Sequence, residues 1–160
     1  MALIGQNIGA GNLARAKESF KKALQYGALG AGGLGLIGAL FAVPIVRVFT
    51  TDPTVTKYTL SYLWSVTFSY AFLAAVMVEA PAFQAIGRSW PGFWIFLLRV
   101  FVVSIPLSYL LTYVFGLSIN GIWIAVIAGN VAASIIGYFW ITRALNKVDL
   151  AKVPVHPPVV

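Results

Sequence analysis

The 160 residues are 60% hydrophobic and only 9% charged, with a mean hydropathy of +0.89 and a formal charge of +7. A soluble domain carries about a quarter charged residues, so this much apolar side chain implies that lipid solvates long stretches of the chain. No cysteine is present, which excludes disulfides, thiolate metal sites and a cysteine nucleophile; the positive charge then reads as membrane-surface charge rather than a nucleic-acid footprint.

Four residues into the chain comes "GQNIGAGN", residues 5–12. A phosphate-binding loop would need a preceding strand and a Lys-Ser/Thr pair, and neither is there. Residues 1–12 also lack the basic start and apolar core of a signal peptide. The stretch reads as a joint: Met1–Gly5 end one helix, Gly9 and Gly11 let the backbone turn, Gln6 hydrogen-bonds across the turn, and Asn12 caps the next helix. In "NLARAKESFKKAL", Leu13, Ala16, Phe20 and Leu24 share one helical face, with Arg15, Lys17, Glu18, Lys21 and Lys22 elsewhere. Glu18 and Lys22 form an i,i+4 pair in the favourable order. The expectation is a short amphipathic helix at the cytoplasmic membrane surface, or else the solvated end of the first span.

Four apolar segments come next, at about residues 23–49, 58–86, 90–115 and 119–144, each longer than the roughly 20 residues a bilayer-spanning helix needs. No period-2 alternation suggests a barrel, so the spans are helices. Their joints carry cap signals: Thr51 or Asp52 before Pro53, Gly87 and then Ser89 with Pro91, and Gly116 with Ser118 or Asn120 after it. Short loops make successive spans antiparallel. Arg15, Lys17, Lys21, Lys22, Arg88, Arg143, Lys147 and Lys152 fall on one side, and Arg47 and Lys57 on the other. The positive-inside rule places both termini and the Arg88 loop in the cytoplasm of a multi-pass cell-membrane protein. The expected organisation is residues 1–22 as helix end, turn and amphipathic helix, 23–146 as the four-helix membrane part, and 147–160 as a cytoplasmic tail holding the solvated His156.

Two ladders of small residues, Gly27-Ala31-Gly35-Ala39 and Ala125-Gly129-Ala133-Gly137, mark close helix contacts in lipid. Trp90, Trp94, Trp123 and Trp140 lie near segment ends, as interfacial aromatics do. Pro44, Pro81 and Pro106 sit inside spans, where each frees a carbonyl and bends its helix, although proline is also simply commoner in membrane helices. Glu79 is the only acid and Arg99 the only base well inside a span. Either is costly in a bilayer and so a candidate for the substrate or cation pathway, the alternative being solvation toward the headgroups. Similar depths on adjacent antiparallel helices predict that the two pair. Gln84, Tyr62 and Tyr70 are further pathway candidates, while Tyr62, Phe68, Tyr70 and Phe72 have packing as the alternative reading. No HExxH, GxSxG, Walker A or EF-hand pattern is present, so enzyme chemistry is not expected.

Together, "GQNIGAGNLARAKESFKKAL", "FTTDPTV", "FQAIGRSWPG", "LLRVFVVSIPLSYLL" and "FGLSINGIWIAV" resemble, in order and spacing, the C-terminal lobe of multidrug and toxic compound extrusion (MATE) transporters, up to about Arg143. Gly5, Gln6, Gly9, Gly11, Gly87 and Arg88 belong to the matching motifs. The resemblance implies an all-α integral membrane fold, with the chain forming the last four helices of a six-helix lobe. It implies export of small cationic or amphiphilic compounds in antiport with H+ or Na+, with no other cofactor and no nucleic-acid partner. The implied partners are the bilayer and a missing N-terminal lobe or complementary chain, without which transport is not expected. Some family members carry an acid in the helix matching residues 58–86, but at a position near Ala75, so that role does not pass to Glu79. Two alternatives remain open. One is a flippase-type relative for anionic lipid-linked sugars, for which only Arg99 offers charge; the other is a four-helix scaffold without transport.

Overall fold

The computed structural model describes residues 2–148; the expectations for Met1, Lys152, His156 and the rest of the tail lie outside them. Among the described residues the regular structure is helical throughout: α1 (Ala2–Gly9), α2 (Leu13–Leu40), α3 (Ala42–Phe49), α4 (Pro53–Val66), a 3-10 turn (Thr67–Ser69), α5 (Tyr70–Ala85), α6 (Trp90–Leu97), α7 (Ile105–Tyr109) between two π-helical segments (Leu98–Ser104 and Leu110–Val114), and α8 (Ser118–Asn146). Four helical stretches are long and apolar enough to cross a membrane: Leu13–Leu40, Pro53–Ala85, Trp90–Val114 and Ser118–Asn146.

The cap signals explain most boundaries. The Asn12 side chain accepts from the Arg15 amide at 3.1 Å. Asp52 Oδ1 accepts from the Thr54 and Val55 amides at 2.7 and 2.9 Å, with Pro53 opening the helix. Gly87 and Gly116 end their helices in the left-handed region, at φ 72° and 68°. In the opening joint only Gly11 has positive φ, at 73°; Gly9 is the last helical residue of α1. The hydrogen bond across this turn comes from Asn7 rather than Gln6. Asn7 Nδ2 donates to the Leu3 carbonyl at 2.7 Å and to Ser19 Oγ on α2 at 3.3 Å, while Gln6 is exposed. The amphipathic stretch runs into the first span as one helix, since no residue between Leu13 and Leu40 breaks the ladder. Its Ala16 and Phe20 are buried, and Arg15, Glu18, Lys21 and Lys22 are exposed.

The prolines act unequally. Pro44 lies in the first turn of α3, just after the break at Phe41. Pro106 opens α7, and its missing N–H is flanked on both sides by the wider π ladder. α5 continues through Pro81 without interruption, and the second span is broken earlier, at Thr67–Ser69. There the Thr67 hydroxyl bonds back to the Leu63 carbonyl, and the Ser69 hydroxyl donates to the Val66 carbonyl at 2.7 Å. Such back-bonding competes with the helical ladder.

Packing follows the small residues. Gly121, Ala125, Gly129, Ala133 and Gly137 are all buried along one face of α8. A Cβ on Gly121 would stand 3.0 Å from the Leu111 backbone, and one on Gly35 of α2 would stand 2.6 Å from the Thr67 carbonyl oxygen. Backbones this close are what small-residue faces permit in lipid. The main core joins Ile4, Ile8, Ala16, Phe20, Phe83, Ile95, Ile141 and Leu145 at the end of the bundle that holds Arg88.

Candidate functional site

α5 and α8 cross near the middle of this packed region, where α5 presents Glu79. The carboxylate is fully buried, at 0% exposure, and neither oxygen has a hydrogen-bond partner among the described residues. It lies against Gly137 of α8 and near Ile95 of α6; a methyl group on Gly137 would overlap it. The small-residue face of α8 therefore makes the space that the carboxylate occupies. Glu79 also helps line a groove of about 320 Å³ between α2, α5 and α8, with Leu24 and Ala28 on the first helix, Phe72 and Ala75 on the second, and Ser134, Tyr138 and Phe139 on the third. Glu79, Ser134 and Tyr138 supply its polar side chains. The carboxylate itself is closed off from the groove, so a proton fits beside it and a larger cation does not. No group of three or more His, Cys, Asp or Glu able to hold a metal ion occurs among the described residues.

Farther along the same interface several polar groups are paired, although the buried Trp123 Nε1 has no partner among the described residues. Asn130 Nδ2 of α8 donates to Ser69 Oγ at 2.8 Å, both buried, tying the 3-10 turn to the last span. The Tyr62 and Tyr70 hydroxyls lie 2.9 Å apart across the turn, and the Tyr62 ring meets Trp123 edge-on, with centroids 5.1 Å apart. Tyr62 and Tyr70 thus form one cluster, separate from the groove that holds Glu79. Phe72 lines that groove, and Phe68 is exposed.

The expected Glu79–Arg99 ion pair does not form: the carboxylate has no partner among the described residues, and the Arg99 guanidinium stands 5.4 Å from the centre of the Phe96 ring. The two residues meet α8 at different levels. The Arg99 carbonyl lies beside Gly129, whereas Glu79 lies beside Gly137; eight residues of helix separate those levels, about 12 Å. Gln84 is exposed near the end of α5 and takes no part in the groove, and Arg88 is exposed in the turn after it. The buried Asn130–Ser69 contact is one that sequence reasoning missed. A lone Asn in an apolar span facing a hydroxyl-rich "TFS" was the available signal.

Comparison with known proteins places this geometry. The chain matches the MatE family over residues 1–110. It is 30% identical over 148 residues to a FAD transporter of Shewanella oneidensis, an alignment covering 92% of this chain and 32% of that protein. It is 25% identical over 126 residues to the probable multidrug resistance protein NorM of Thermotoga maritima, covering 79% and 27%. The fold is similar to that of the Vibrio cholerae MATE transporter VcmN in its bent form, with a TM-score of 0.84 at 24% identity over 92% of this chain and 33% of that one. The chain thus spans about a third of the length of the relatives it matches. On the family match over most of its length, the chain belongs to the MatE family.

Proposed function

We propose that this chain supplies four helices of one lobe of an exporter for cationic or amphiphilic compounds, with Glu79 as a site at which a coupling proton is exchanged. The observation that carries the reading is the unpartnered Glu79 carboxyl beside a groove in a MATE-like bundle. Burying an ionised carboxylate among apolar groups is costly; the neutral acid is the form an apolar groove tolerates. A sodium ion stripped of water needs several oxygen ligands, and the groove offers Glu79, Ser134 and Tyr138. Proton exchange is therefore preferred to sodium. Both termini and the Arg88 turn face the cytoplasm, on the excess of Lys and Arg at that end. The complementary lobe supplies the other wall of the cavity, so alternating access requires both.

Reconstitution in vesicles tests this. The chain alone should move no cationic dye when a proton gradient is imposed. The complete two-lobe transporter should, and Glu79→Gln should abolish the proton-driven part while dye binding remains. Proton-driven efflux by the chain alone would refute the shared cavity, and full activity of Glu79→Gln would refute the role of Glu79. The likeness to a FAD transporter favours a second reading, in which the cargo is a flavin nucleotide. Flavin efflux without dye efflux would select it.

A further inference from the structure

The two sides of the third span differ in kind. Gly92 of α6 packs against Ala80 of α5, where an added Cβ would lie 3.0 Å from the Ala80 Cβ, and Ile95 is buried. On the other side Trp94, Phe101 and Val102 are more than half exposed. With Ile136 and Trp140 of α8 they border a groove of about 420 Å³ whose walls carry no polar surface. Helix partners in membranes meet through small residues, and this groove is walled by large ones. Its shape and chemistry suit an acyl chain.

Trp94 lines the groove, and the residues beside it, which we take as the groove's mouth, have headgroup chemistry. Trp90, Phe93 and Trp94 form a mutually contacting aromatic tripod, with centroids 5.8 to 6.4 Å apart. Such rings settle at the membrane–water interface. Ile136, Trp140 and Arg143 succeed one another at i, i+4 and i+7, which puts Arg143 on the groove face of α8 one turn beyond Trp140. Arg88 stands two residues before Trp90. Both arginines are exposed, and neither forms an ion pair among the described residues. The acids among those residues are Glu18, Asp52 and Glu79, none of them at this mouth. We infer that the groove between the third and fourth spans is a binding site for one anionic phospholipid, its acyl chain lying along Phe101 and Ile136 and its phosphate held by Arg88 and Arg143.

Native mass spectrometry of the purified chain tests this, after exchange into equal amounts of phosphatidylglycerol and phosphatidylcholine with identical acyl chains. Two surface arginines predict retention of the anionic lipid over the zwitterionic one by about thirty-fold. Arg88→Gln and Arg143→Gln should each reduce that ratio about five-fold. Ile136→Phe, which fills the groove, should lose both lipids while circular dichroism stays unchanged. A measurement independent of any variant is quenching of tryptophan fluorescence by brominated acyl chains, which should be stronger with phosphatidylglycerol than with phosphatidylcholine. Equal retention, a ratio untouched by both arginine variants, or a second copy cross-linked through the groove would overturn the site.

Discussion

The two ends of the bundle are built differently. At the Arg88 end, α1, α2, α5, α6 and α8 converge on Phe20, Phe83, Ile95, Ile141 and Leu145, all buried. At the Asp52 end, Phe49 and Val48 are more than four-fifths exposed and the buried apolar residues are small, Ala39, Ala42, Val46, Val66 and Ala125; hydrogen bonds join the helices there, from Ser61 Oγ to Asn120 Oδ1 at 3.3 Å, from Trp64 Nε1 to the Ala39 carbonyl at 3.1 Å, and between the Tyr62 and Tyr70 hydroxyls. One end is filled by large side chains, the other by small ones with single hydrogen bonds between its helices. Glu79 lies in the well-packed end, fully buried and without a hydrogen-bond partner among the described residues. That unpartnered carboxyl is the feature on which the proposed proton site rests.

The contrast can be broken at the junction between the ends. Gly35→Ala should have the largest effect on stability, because its Cβ would meet the Thr67 carbonyl oxygen at 2.6 Å and push α2 from the 3-10 turn. A loss of about 1–3 kcal/mol is expected, read as a lowered thermal midpoint in detergent. Gly30→Ala, with nothing within 4 Å of the new methyl, should be neutral or slightly stabilising. Asn130→Ala removes the donor to Ser69 and leaves a buried hydroxyl short of a partner. About 1–2 kcal/mol should be lost, and hydrogen exchange should quicken at residues 66–70. Asp52→Ala removes the cap of α4 for about 1 kcal/mol, with faster exchange confined to the Thr54 and Val55 amides.

The smallest effect belongs to the exposed Glu18–Lys22 pair, 2.8 Å apart. Hydrogen bonding and attraction from Lys22 hold the Glu18 carboxyl below its ordinary value, and the same partner raises Lys22. The pair's contribution is therefore present from above the usual carboxylate range up to the usual lysine range. It fades as the pH falls through the lowered Glu18 value, or as it rises through the raised Lys22 value. Glu18→Gln should shift the thermal midpoint barely at neutral pH and not at all in high salt.

Much of the bundle was legible in the residues. The caps at Asn12, Asp52, Gly87 and Gly116 are local chemistry, and apolar length alone predicts four spans. The small face at 125–137 comes from spacing. The break at Thr67–Ser69 was not legible, because no Gly or Pro marks it and two hydroxyls unwind the ladder by bonding backward. Pro81 misleads for the opposite reason: the helix around it absorbs the missing donor. The absent Glu79–Arg99 pair shows a third limit. Hydropathy gives a residue's approximate depth but not the level at which it meets a neighbouring helix, and here about two turns of α8 separate them.

The most direct measurement is infrared difference spectroscopy of the chain in lipid at neutral pH, comparing the native protein with Glu79→Gln. The carbonyl band of a protonated carboxyl is expected in the native protein and its loss in the variant, a difference that assigns the band to Glu79 because the two proteins differ at that residue alone. No such band in the native protein, or a band that survives Glu79→Gln, would contradict a proton held at Glu79.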